Sequence, residues 1–326
     1  MRDELYQKEK AKEFYEARYE HGYMDEWPTA KKKRVFELIR ALPLPPRGKA
    51  LDFGCGNGVF TEVLHQALPE WEVYGCDIST VSIENAKSRF PQCRFFISDN
   101  ESIPPTKFDF LFSHHVLEHV FDIQKTMEEI DAYLKEEAGM LHIFPCGNEG
   151  SLEQRICAMR VDGMNEAMEN RFFYEDEGHI RRLTTDRTNA LAGVHGFSLA
   201  VDFYSNQYWG ALKWITQLSP MYAAAFADPS KAVDGKARKS LRALRSKFIL
   251  LNILQFPSVL FNYMKTRKKR GVLHSAGMVI TFLPHLLSCP VYSYINRKAD
   301  QEWAVHRKER SGSEMYLFYK RVSRNK

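Results

Sequence analysis

The sequence predicts an α/β protein built on a doubly wound, mostly parallel sheet, and three observations predict it. A short apolar run, Lys49-Ala50-Leu51-Asp52, ends in a turn with glycines at 54, 56 and 58, and Thr61 to Leu68 continues with helical apolar spacing. Strand, glycine turn and helix is the layout of a nucleotide site at the carboxyl edge of a parallel sheet. From residue 48 to residue 145 strand and helix patterns alternate regularly, as expected of strands joined by helical crossovers. A last strand pattern, Glu314–Lys320, appears only after about a hundred residues of a different composition.

Taken in order, residues 3 to 22 read as a charged helix with Phe14, Tyr15, Arg18 and Tyr19 clustered by helical spacing. Lys31 to Leu42 reads as a second helix, stopped by Pro43, Pro45 and Pro46. Strand patterns follow at Glu72–Asp77, Arg94–Asn100, Phe108–Ser113, Met140–Pro145 and Gly196–Phe203. Ser79 is placed to cap a helix through Phe90. Asp122 to Ala138 reads as a helix with Ile123, Met127, Ile130 and Leu134 on one stripe, closed by Gly139. Residues 146 to 195 read as several helices.

At 326 residues, with 44% hydrophobic and 27% charged side chains, the chain can bury a sizeable core. A net charge of +5 does not by itself point to nucleic acid. Six cysteines without a C-x-x-C spacing predict free thiols of a reducing cytosol rather than a disulfide frame or zinc site. Met1 to Leu5 offers no apolar h-region, so no secretory signal is expected and the location is read as cytoplasmic.

The glycine turn has its own spacing. A dinucleotide site wants G-x-G-x-x-G; here the pattern is G-x-G-x-G, Val59 holds the third dinucleotide position, and Asp52 lies two residues before Gly54. The second strand ends in Asp77, 23 residues after Gly54, where an acid can accept ribose hydroxyls. The third ends in Asp99-Asn100, and the fourth runs into His114-His115-Val116-Leu117-Glu118-His119-Val120. This ordered set resembles the class I S-adenosylmethionine-dependent methyltransferases over residues 10 to 204 and the last strand. The resemblance implies a Rossmann-like sheet of seven strands with an antiparallel last strand. It also implies S-adenosylmethionine as cofactor, held by Asp52, Gly54, Cys55, Gly56, Asp77, Ile78, Asp99, Asn100 and Ser113. Relatives with similar N-terminal helices further imply a flap in which Tyr15 or Tyr19 covers the cofactor and Arg18 meets its carboxylate. The same stripe also reads simply as a helix packed on the sheet, and Cys55 as a small residue in a crowded turn.

Methyl transfer to a hydroxyl needs positioning and a base for the proton. His114, His115 and His119 follow the fourth strand, and His179 lies in a segment resembling one that faces substrate in related enzymes; these four are the candidate bases. If their segment is helical, His115 and His119 share a face at i, i+4. That spacing, with Glu118, also matches a metal pair, but no second cluster supports one and no metal is expected. For each histidine a capping or core role stands beside the catalytic one.

The resemblance divides the chain into N-terminal helices and flap (1–47), cofactor-binding core (48–204), a helical insertion (205–311) and a final core strand (312–326). Between residues 231 and 270 the insertion carries twelve Lys and Arg against Asp234 alone. Apolar runs occupy Phe248–Met264 and Val272–Tyr292, the first with Pro257 at its middle and the second with His274, His285, Pro284 and Pro290. Spanning is uncomfortable for either run. An in-plane or shallowly dipping anchor on an anionic inner leaflet and a soluble lid over an apolar pocket both remain open. The expected activity is O-methylation of a lipophilic or lipid-linked small molecule at the membrane surface. A soluble sugar or metabolite is the rival acceptor, with the insertion then a lid or dimer face, and a non-catalytic cofactor-binding protein is the rival of another class. Few aromatics interleave the basic residues, so no nucleic-acid partner is expected.

Overall fold

The computed structural model describes residues 2–23, 25–98, 106–266 and 272–322. Seven strands form one sheet: β1 (Lys49–Phe53), β2 (Glu72–Asp77), β3 (Arg94–Ile97), β4 (Phe108–His114), β5 (Leu134–Pro145), β6 (Phe197–Ser205) and β7 (Glu314–Arg321). Their spatial order is β3-β2-β1-β4-β5-β7-β6. The strands β3, β2, β1, β4 and β5 pair in parallel. Against β6, the Ser313 N–H donates to Ser205 O at one end and Val322 N–H to Gly196 O at the other, so β7 runs antiparallel, as the resemblance implies. The helices are α1 (Arg2–Glu20), α2 (Thr29–Ala41), α3 (Val59–Ala67), α4 (Thr80–Arg89), α5 (Ile123–Tyr133), α6 (Leu152–Ala158), α7 (Thr185–Val194), α8 (Trp209–Gln217), α9 (Pro220–Phe226), α10 (Gly235–Thr266) and α11 (Val272–His306).

The chain divides into two compact units, one comprising Met1–Phe144, Asp186–Asp202 and Tyr316–Lys326, the other Pro145–Thr185 and Phe203–Met315. In the first, β1 and β4 are buried almost throughout, as expected of central strands covered on both faces. Val35, Leu38 and Ile39 of α2 join that core. Lys31 Nζ at the start of α2 donates to the Tyr316 hydroxyl at 2.9 Å.

Two readings of the local structure change. The helix expected to reach Ala138 stops at Tyr133, and β5 begins at Leu134, which is buried and pairs with Phe108. Lys135 Nζ binds both Asp109 oxygens at 2.8 and 2.9 Å, so tertiary pairing overrides the helix preference of Lys-Glu-Glu-Ala. Gly139 is therefore a strand residue rather than a helix stop. It is small because a Cβ there would stand 2.8 Å from the Phe318 ring of β7. After β4 the chain makes a turn, with His115 at φ 56° and His119 N–H donating to Val116 O. His115 and His119 do not share a helical face.

In the second unit, Leu152 and Ile156 of α6, Leu212 and Ile215 of α8, Phe226 of α9, Phe248 of α10 and Ile295 of α11 make one apolar cluster. The six cysteines of the chain are free thiols, five of them buried. The first turn of α8 has no capping side chain of its own. Instead the buried Glu302 carboxylate of α11 accepts the N–H groups of Tyr208, Trp209 and Gly210 at 2.8, 2.7 and 3.0 Å. An anion at a helix N-terminus gains from both the hydrogen bonds and the helix dipole.

Glu302→Ala removes both acceptor oxygens, and with them three hydrogen bonds from part-buried donors, and should cost about 2–4 kcal/mol in denaturant unfolding. Glu302→Gln, which keeps one acceptor, should cost less.

Candidate active site

The site is built where β1, β2 and β4 end. At the close of β1 the backbone turns through Gly54 (φ 73°) and Gly56 (φ 49°), a region that side chains strongly disfavour. A Cβ at Gly54 would stand 2.5 Å from Val116 Cγ2, and one at Gly56 would stand 2.8 Å from Tyr19 Oη. Four N–H groups of this turn are already used. Those of Gly54 and Cys55 donate to Cys76 O, that of Gly58 to Cys55 O, and that of Gly56 to Asp77 Oδ2 at 2.9 Å. The nest of spare N–H groups that a pyrophosphate needs is thereby largely spent.

Asp77, at the end of β2, also accepts from Ser79 N–H at 3.0 Å through Oδ1. Each carboxylate oxygen accepts a second bond readily. Burial raises the Asp77 carboxyl above its ordinary range, against the N–H bonds from Ser79 and Gly56 that hold it down. Burial likewise pushes Asp52 up to about 7, although Thr61 Oγ1 donates to Asp52 Oδ2 at 2.6 Å.

A cavity of about 300 Å³ opens above this turn, within the first unit. Asp52, Gly54, Cys55, Gly56, Asp77 and Ile78 line it from the sheet edge, His114, His115 and His119 from the turn after β4, and Tyr15 and Tyr19 from α1. Burial, and then the charge of Asp77, pushes the Tyr19 hydroxyl far up. Tyr15 Oη lies 2.8 Å from His119 Nδ1. Glu118 Oε1, fully buried, stands 3.0 Å from His115 Nδ1 and 3.9 Å from His119 Nε2. The His114 ring is packed on Phe60 at 4.0 Å and on Trp27 at 4.6 Å between centroids.

Two of the expected residues, Ser113 and Arg18, are not among those lining the cavity. Ser113 turns from the cavity, its Oγ 2.7 Å from His142 Nδ1 in the buried core, because successive side chains of a strand face opposite ways. Burial lowers His142 to about 4. Arg18 does not line the cavity; its guanidinium stacks on Phe14 and Tyr23 at 4.7 and 4.2 Å. His179 belongs to the second unit, its Nδ1 3.1 Å from Glu175 Oε1. Asp99 and Asn100 lie outside the described residues.

Other residues enter the site without having been singled out in the sequence. Trp27 and Tyr23 line the cavity, and Asn57 Nδ2 donates to Tyr23 O and Asp25 Oδ1 at 3.1 and 2.8 Å. Glu16 Oε1 of α1 accepts Thr80 N–H at the start of α4, at 3.0 Å. The Asn inside the glycine turn was the available signal, since an amide there has backbone partners within reach.

The raised Asp52 carboxyl gives a stability prediction. Between about pH 4 and pH 7 the unfolded chain has released this proton and the folded chain holds it, so stability falls as pH rises through that window. Asp52→Asn removes the effect and keeps an acceptor for Thr61. Its stability relative to wild type should therefore rise by on the order of 3 kcal/mol from pH 4 to pH 7 in matched unfolding curves, and a constant difference would refute the shift.

Residues 46–188 match the family model described as a methyltransferase domain. A trans-aconitate 2-methyltransferase of Variovorax paradoxus is 33% identical over 100 residues, 30% of this chain and 39% of that protein. A malonyl-[acyl-carrier protein] O-methyltransferase of Ilyobacter polytropus is 25% identical over 146 residues, 44% and 55% of the two chains. The solved TehB-like S-adenosylmethionine-dependent methyltransferase of Corynebacterium glutamicum aligns with 59% of this chain and 86% of its own, at 19% identity and a TM-score of 0.39. The chain thus spans less than two thirds of the length of the two curated relatives. By the family match, residues 46–188 form a methyltransferase domain, with S-adenosylmethionine as its cofactor.

Proposed function

We propose that the protein transfers the methyl group of S-adenosylmethionine to an oxygen of a lipophilic or lipid-linked small molecule at the inner face of a membrane. The observation that carries the reaction is the cavity of the first unit, where Asp52, Asp77 and the glycine turn face the histidines after β4. S-adenosylmethionine supplies an electrophilic methyl on a sulfonium. Asp77 would take its ribose hydroxyls, Ile78 and Cys55 its apolar surface, and Asp52 its positive charge. Tyr15 and Tyr19 close the cavity from α1 and exclude water, which strengthens every electrostatic contact inside.

Of the histidines, His115 and His119 fit the base best. His115 Nδ1 pairs with the buried Glu118 carboxylate at 3.0 Å, the arrangement that fixes a ring's tautomer and orientation, and His119 Nδ1 lies 2.8 Å from Tyr15 Oη. His114 is held by aromatic packing and fits a wall. The lipophilic acceptor is supported by the apolar helices of the second unit, where Leu250, Ile253, Val279 and Leu287 are all more than half exposed. A second reading follows from the relatives' names: trans-aconitate and a malonyl thioester offer carboxylates, which need positioning and no base.

Asp77→Ala should weaken S-adenosylhomocysteine in calorimetry by about 1.5–3 kcal/mol, since it removes the carboxyl acceptor of two hydroxyls. Unchanged affinity would remove Asp77 from the cofactor site.

Alanine at His114, His115, His119 and His179 in turn should lower turnover by about 10²–10³-fold for at least one variant, with cofactor affinity nearly intact. The acceptor is read by mass spectrometry of lipid and polar extracts incubated with enzyme and methyl-labelled cofactor. Label in polar acids, with all four variants within a few-fold of wild type, would establish the carboxylate reading instead.

A further inference from the structure

The helices α10 and α11 form an antiparallel hairpin. Ser258 Oγ lies 2.9 Å from His285 Nδ1 and 2.6 Å from Ser288 Oγ, and further along a Cβ on Gly277 would meet Met264. Its polarity is inverted relative to a helix pair in water. From Leu250 to Met264 and from Ala276 to Pro290, every exposed side chain is aliphatic, aromatic or proline. The polar residues Asn252, Gln255, Ser258 and Ser288 are buried instead. Asn252 Nδ2 donates to Thr216 O and Leu218 O at 2.8 and 2.7 Å, and the His285 ring stacks on Phe261 at 4.3 Å. Polar groups between helices with an apolar exterior is the arrangement that a hydrocarbon solvent selects.

The exposure also wraps round the helices. Residues two apart lie about 160° apart on a helix of 3.6 residues per turn. Ile280 and Phe282 are both exposed, at 73% and 52%, and so are Leu254 and Phe256, at 42% and 43%. A helix lying in the plane of a membrane keeps a polar face toward water, and within these limits neither helix has one. Each apolar stretch is about 21 Å long at 1.5 Å per residue. Lys236 to Lys247 precede the first stretch with six basic residues, and Lys265 closes it. Long basic side chains at both ends of an apolar band reach anionic headgroups.

We propose that the α10–α11 hairpin is embedded in the hydrocarbon of an anionic lipid bilayer, which surrounds the band Leu250–Met264 and Ala276–Pro290 on all its outward sides, with the Ser258–His285–Ser288 seam sealed between the helices. This deepens the membrane part of the proposed function, replacing a surface anchor with an inserted one, and its test reads insertion without asking for turnover.

Single cysteines at Ile280, Phe282 or Lys239, in full-length protein carrying Cys289→Ser, take an environment-sensitive thiol dye. With vesicles of phosphatidylglycerol and phosphatidylcholine, the dyes at 280 and 282 should both shift to the blue and be quenched by lipids brominated on their acyl chains. The dye at 239 should stay in a polar setting. Flotation with the vesicles should survive high salt, and Leu283→Glu with Leu287→Glu should reduce it by about tenfold or more. A shift at only one of 280 and 282 would establish an in-plane helix and overturn insertion. Shifts without lipid that grow with protein concentration, with a dimer in sedimentation, would assign the band to a second copy of the chain and overturn it. Unchanged dyes in the presence of vesicles would overturn it as well. Loss of methyl transfer with insertion intact would count against the proposed function alone.

Discussion

The bond from Gly56 N–H to the Asp77 carboxylate ties the end of β1 to the end of β2, and the geometry of the first unit's cavity depends on it. A backbone turn that must pass through positive φ at three glycines is held in place by an acid on the neighbouring strand. That acid is thereby fixed in orientation before any ligand arrives. Burial makes both Asp52 and Asp77 reluctant to ionise, so the site carries two carboxyl groups in want of positive charge or hydroxyl donors. A sulfonium cofactor with a ribose would meet that want, whereas a pyrophosphate would meet acids and occupied amides. The choice of cofactor is therefore written in hydrogen-bond satisfaction as much as in motif spacing.

Much of this was legible in the sequence because it rests on local chemistry. Glycines at alternate positions, an acid ending the next strand and Ser79 before a helix each have a backbone reason, and Ser79 Oγ does accept Ser82 N–H at 3.2 Å. The parts that were not legible depend on partners distant in sequence. Gly139 looked like a helix stop because its reason, the Phe318 ring, lies far along the chain. The β4 exit is a turn because His115 takes a left-handed conformation, which no periodicity announces. Ser113 was one residue out of phase: the strand's alternation sends it to His142 while His114 faces the cavity.

The second unit shows the opposite balance. Its composition, basic residues beside apolar runs, was plain, and the pairing of the runs was not. Only the structure shows that Asn252, Gln255 and Ser258 of the first run are turned inward, and that an acid at Glu302 is spent on the start of α8. Polar residues inside an apolar segment dilute any hydropathy average, yet they strengthen the case for lipid when they face another helix.

The position of β7 has a consequence for how the chain reaches its fold. It is hydrogen-bonded between β5 and β6, and more than a hundred residues separate it from β6. Until it docks, β5 and β6 both present open edges, the kind of surface that templates pairing with other chains. Contacts of such long sequence separation form late and slowly. During synthesis the apolar stretches of α10 and α11 emerge while those edges are still bare. A newborn chain of this design therefore spends its most aggregation-prone interval with its stickiest segments exposed, and early delivery of the hairpin to lipid or to a chaperone would protect the sheet as well as the helices.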